Sequence, residues 1–111
     1  MKYHHLGIPT SVPRESEEYL PAFDTYCTDH ERNPFGIQWM RYGPRCPLPD
    51  LVKTVPHVAF ELADLDQALE GEEVLIRPNS PSPGVVVAFI VRDGAPVELL
   101  EHRLKGEGET D

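Results

Sequence analysis

Two short stretches carry a histidine at the same place in the same pattern: His5-Leu6-Gly7-Ile8 near the start of the chain and His57-Val58-Ala59-Phe60 near its middle. Side chains of a strand alternate between its faces, so as strands both put the histidine on one face and the apolar pair (Leu6 and Ile8, or Val58 and Phe60) on the other. A second pair matches in the same way: Ile37-Gln38-Trp39-Met40-Arg41 superposes on Val97-Glu98-Leu99-Leu100-Glu101. Comparing the chain with itself thus selects His5, Gln38, His57 and Glu98, each on a polar face opposite an apolar one. Two imidazoles, an amide oxygen and a carboxylate are types that ligate a divalent metal, and the set suits Zn, Ni, Co, Mn or Fe without choosing among them.

The elements that position these residues follow from local pattern. The first strand spans residues 3 to 8 and ends at Pro9. Ser11, Pro13 and the acidic residues after them predict a helix of at most two turns before Pro21. Residues 22 to 28 and 37 to 42 read as strands, separated by a turn containing Asn33-Pro34-Phe35-Gly36. The second of these strands places Gln38, Met40 and Tyr42 on one face and Ile37 and Trp39 on the other. Residues 44 to 55 are a proline-rich link without a sustained period, although Leu48, Leu51 and Val52 can pack onto the core. Beyond it come a strand at 56 to 62, a helix at 64 to 70 with Asp64 as N-cap and Gly71 at its end, a strand at 73 to 77 and a loop at 78 to 84. Strands at 84 to 92 and 96 to 101 close the series, joined at Asp93-Gly94, a hairpin signal. Leu62, Leu65 and Leu69, at helical spacing, belong to the core, with Val97 and Leu99 facing the same helix. The expected organisation is a single domain over 1–104, with a first module at 1–43, the link at 44–55 and a second module at 56–104, followed by a disordered tail at 105–111.

Composition narrows the function. The 111 residues carry a net charge of −9, which disfavours nucleic acid and anionic membrane surfaces as partners. There is no apolar leader and no run near the roughly 20 residues of a membrane span, so a cytoplasmic location is expected. Two cysteines without a secretion signal read as free thiols. Neither a glycine-rich phosphate loop nor a CxxC pair is present.

The order strand, helix, strand, strand, strand over 56–101, with His-Leu-Gly-Ile opening the chain and Val-Glu-Leu-Leu-Glu closing it, resembles the vicinal oxygen chelate superfamily, which includes glyoxalases, bleomycin-resistance proteins and extradiol dioxygenases. The resemblance implies an α+β fold of two βαβββ modules around a cleft, with the first module abbreviated, since the chain between Pro9 and Ala22 is too short for a full helix and strand. It implies a metal site at His5, Gln38, His57 and Glu98, a set similar to that of methylmalonyl-CoA epimerases. The corresponding chemistry is proton abstraction next to a metal-chelated carbonyl, as in an isomerase, epimerase or lyase acting on a small carboxylate or thioester. Glu98 and Glu61 are the candidate bases; Glu61, four residues beyond His57 and roughly 13 Å along the strand at ~3.3 Å per residue, would meet only the far end of a substrate. A metal-free small-molecule binding protein of the same fold is the alternative, with a dioxygenase behind both. The abbreviated module, which leaves Trp39 and Tyr19 poorly shielded, implies a homodimer.

Other polar residues read as structural. His4 points away from His5 toward an edge, His30 and His102 face solvent, and Glu70, Glu72 and Glu73 form an acidic surface cluster. Cys27 is a small core residue without an activating histidine and acid, whereas Cys46, between prolines, is exposed enough to be modified.

Overall fold

A computed structural model describes residues 1–103; the tail expected at 105–111 lies outside the described residues. Eight strands form one curled sheet, with short helical segments against it. They are β1 (Lys2–Pro9), β2 (Glu18–Leu20), β3 (Thr25–Cys27), β4 (Ile37–Tyr42), β5 (His57–Glu61), β6 (Glu73–Ser82), β7 (Val85–Arg92) and β8 (Ala95–His102). The α-helices, α1 (Asp50–Thr54) and α2 (Leu65–Leu69), have five residues each. The expected α+β class is therefore corrected to a mainly β architecture with sparse helical cover. No helix among the described residues is long and apolar enough to cross a membrane.

The strand order is β2-β3-β4-β1-β5-β8-β7-β6, and it reads the same way outward from its centre in both directions. β1 and β5 pair antiparallel at the middle; each is flanked by a parallel partner, β4 and β8, and then by antiparallel strands. The two halves are thus topological copies about the β1–β5 seam, with the longer hairpin strands in the second.

On the convex face of the second half, Leu65 of α2 packs with Ala88, Ile90 and Leu99, and Phe60, Leu62, Ala68, Leu69 and Val97 close around them. The Asp64 side chain caps this helix by accepting from the Gln67 amide, and Gly71 follows at φ +77°, a conformation that favours glycine. Asp93 at φ 53° and Gly94 at φ 83° supply the paired left-handed residues of the expected β7–β8 turn.

Four local expectations fail. The strand expected at 22 to 28 is confined to Thr25–Cys27, because Pro21–Phe23 form a 3-10 helix and Asp24 takes a left-handed φ of 47°. No helix forms between Thr10 and Leu20: Ser16 takes a left-handed φ of 64°, and Glu17 binds Arg41 through both carboxylate oxygens, at 2.6 and 3.0 Å. The chain between 78 and 82 is strand rather than loop despite Pro78 and Pro81, because β6 is the sheet's edge and its pairing with β7 is broken by register shifts that accommodate missing donors. The link contains α1, whose Val52 is buried; the residues that form it are too few to show a period.

Candidate metal centre

The sheet register brings the four selected residues to the concave face in two rows. One row crosses β1, β5 and β8 as His5, Ala59 and Glu98; the other crosses β4, β1 and β5 as Gln38, Gly7 and His57. The middle residue of each row is small, and the larger side chains on either side converge over it. The seat is tight: a Cβ on Gly7 would lie 2.7 Å from Nε2 of His57 and closer still to Cε1. Only glycine leaves room for that ring in this position.

His5 and His57 are buried. Oε1 of Glu98 lies 3.3 Å from Nε2 of His5 and 3.0 Å from Nε2 of His57. The His57 contact is close but not aligned for a hydrogen bond, and neither nitrogen of that ring has a hydrogen-bond partner among the described residues. A buried imidazole with both nitrogens unsatisfied is costly. The separations suit another arrangement, since donors held by one ion at ~2.0–2.2 Å lie about 3.0–3.5 Å apart. His5, His57 and Glu98 are a group that could hold a metal ion. Burial pushes the Glu98 carboxyl up, but the two imidazoles outweigh it and hold the group down at about 2. Gln38 lines the same space, and its Nε2 donates to the Thr28 carbonyl at 3.0 Å, which leaves Oε1 as the free end of the amide.

These residues form one end of a cavity of about 320 Å³, within the range that small molecules occupy. Its remaining walls are mostly apolar and come from both halves and from α1, including Phe23, Met40, Tyr42, Val52, Ile76, Val87 and Phe89. The Phe89 ring meets His57 edge-on at 5.1 Å. Burial raises the Tyr42 hydroxyl well above its ordinary range, so it is a neutral phenol in the cavity wall.

Other sequence readings need correction. His4 does not point away: a β-bulge between Tyr3 and His5 adds one residue against β5, turning His4 to the same side, with its Nδ1 2.7 Å from Nδ1 of His5. His30 is half-buried, stacks at 4.5 Å on His4 and lines the cavity. A bulge breaks strand alternation, and His30 arrives on a single-turn 3-10 helix, His30–Arg32, so periodicity signals neither; adjacency in a His-His pair is the available clue. Glu61 is not among the residues lining the cavity; its Oε2 sits 3.6 Å from His4 and 3.5 Å from the exposed His102. Cys27 is buried as expected, and burial pushes its thiol up to about 11. Cys46 is buried rather than exposed, beneath the Thr25 hydroxyl. Trp39 is shielded within the chain by the Arg14 guanidinium, 4.0 Å above its ring.

No protein-family model matches this chain, and no curated protein matches it.

Proposed function

We propose that the chain is a small divalent-metal enzyme of the vicinal oxygen chelate type, with His5, Gln38, His57 and Glu98 as ligands and the adjoining cavity as the substrate site. The observation that carries this reading is the buried His57 ring: its nitrogens lack hydrogen bonds while Nε2 and the facing Glu98 oxygen have the spacing of two ligands to one ion. The mirrored strand order supports the family resemblance.

The reaction class is proton abstraction beside a carbonyl, giving isomerisation, epimerisation or elimination. A divalent ion held by His5, Gln38, His57 and Glu98 would supply the positive charge that polarises a substrate carbonyl. The protein's own part is to orient and exclude water. Gly7 and Phe89 fix the His57 ring, the Thr28 carbonyl fixes the Gln38 amide, and the apolar wall removes solvent from a substrate's carbon end. Glu98 is a ligand first; both imidazoles meet its Oε1, which leaves Oε2 as the oxygen to receive a proton. The substrate is a small carbonyl compound with an apolar portion. A homodimer belongs to the same reading; with Trp39 shielded by Arg14, it rests on the exposed Tyr19 and the first half's lack of helical cover, and light scattering showing a monomer at micromolar concentration would contradict it.

A metal-free binding protein of the same architecture is the second reading, favoured by the mostly apolar cavity wall. Elemental analysis of tag-free protein separates the two. The expected result is stoichiometric Zn, Ni, Co, Mn or Fe, with the equivalent held at this centre lost in His57→Ala and in Glu98→Ala. Protein that purifies without metal and whose thermal midpoint ignores each of these ions would support the binding protein instead.

A further inference from the structure

All five histidines of the chain lie in one continuous array. From His57 the line passes to His5, with ring centroids 5.6 Å apart, then to His4 at 5.0 Å, and His30 stacks on His4 at 4.5 Å. Glu61 continues it from His4 to His102. The centre described above uses two of these rings, and chance placement of the others beside them is a poor explanation in a chain with nineteen acidic residues and only five histidines.

We propose that His4, His5 and His30 form a second position for a borderline divalent cation, sharing the His5 ring with the first. Each of the three offers a ring nitrogen, and these atoms lie within 4.8 Å of one another. His5 can serve both positions because its two nitrogens face different ways: Nε2 toward Glu98 and Nδ1 toward His4. The bulge at Tyr3–His5 makes this possible, since a regular strand would send His4 to the convex face. The 2.7 Å Nδ1–Nδ1 contact of His4 and His5 is that of a hydrogen bond, shorter than the about 3.0–3.5 Å between two ligands of one ion, so an ion here parts the two rings by a few tenths of an ångström; the hydrogen bond does not account for the third ring, His30, whose nearest acid is Asp29, at 3.9 Å. Glu61, 3.6 Å from Nε2 of His4, is placed to orient that ring from behind, as outer carboxylates orient ligating histidines. Three imidazoles select Zn, Co, Ni or Cu over the hard cations Mg and Ca. An ion on Nδ1 of His5 takes the place of that nitrogen's proton, which passes to solvent, and the ring then bridges two ions. The proposal rests on the first reading only through this shared ring.

The test is titration of metal-free protein with Co²⁺ and with Zn²⁺, counting equivalents in the unaltered chain, His30→Ala, His4→Ala and His57→Ala, with circular dichroism to verify folding. The expected result is two equivalents for the unaltered chain and one for each variant. One equivalent that survives in His30→Ala and His4→Ala but not in His57→Ala would overturn the second position and leave the first intact. One equivalent that survives in His57→Ala but not in the other two would do the reverse. Absence of binding would overturn both.

Discussion

The two halves of the sheet share a strand order but hold their convex faces in different ways. In the second half α2 lies on the sheet, and its own Leu65 and the Ala88 beneath it reach 0 % exposure. In the first half no helix covers the equivalent surface, and Leu6, Ile8, Ile37 and Trp39 are only half-buried. A polar strap takes the helix's place: Arg14 lies over Trp39, Arg41 over Tyr26 at 4.2 Å, and Glu17 ties the two arginines by accepting from the Arg14 amide and the Arg41 guanidinium. Both clusters of buried apolar residues draw their members from the second half. Yet each half contributes two of the four candidate ligands. Stability is thus concentrated on one side of the seam, while the site needs both sides in register.

This contrast can be broken by truncation. Leu65→Ala removes the centre of the larger core and should cost about 2–5 kcal/mol in urea unfolding, whereas Ile37→Ala on the bare side should cost clearly less; equal losses would mean that the halves are equally packed. Gly7→Ala acts at the seam itself, where the added methyl must displace the His57 ring, at about 1–3 kcal/mol for overpacking together with loss of metal retention. Retention of metal at the unaltered level would contradict the seating of His57 on Gly7. Arg14→Ala tests the strap and should cost only about 0.5–1 kcal/mol, with Trp39 fluorescence shifting toward that of an exposed indole.

The smallest effect concerns Cys27 in the first half. Its thiol keeps a proton up to about 11 in the folded protein, against 9 as the ordinary value. The unfolded chain therefore releases this proton first, and stability should fall between pH 9 and 11. Cys27→Ala should flatten that slope. Native thiol labelling at pH 8 should be slow at both cysteines; rapid reaction at either would show that the first half opens locally despite its strap.

Much of this arrangement was legible in the residues. Alternation around His5, Gln38, His57 and Glu98 is a two-residue period that a single sequence displays, and comparison of the halves put the four on one face of the sheet. Asp64 and Gly71 marked the ends of α2 through capping chemistry, and Asp93-Gly94 marked its hairpin. What escaped depends on tertiary context. The bulge that turns His4 inward is set by pairing with β5; β6 tolerates its prolines only because it is an edge; Ser16 and the Glu17–Arg41 pair override a capping pattern that on its own suits a helix. Cys46 is buried by Thr25, a partner 21 residues away.

Hydrogen exchange with and without added Zn²⁺ tests most directly whether one ion joins the two halves through His5, Gln38, His57 and Glu98. Because the first half has no helix-covered core, metal should slow exchange most at Leu6–Ile8 and Ile37–Tyr42, with smaller changes at Ala88–Ile90; in a His30→Ala background, which removes the second position, adding His57→Ala should abolish the protection on the far side of the seam. Exchange in β1 and β4 that is unchanged by metal, or protection that persists in the His30→Ala, His57→Ala double variant, would contradict a shared site.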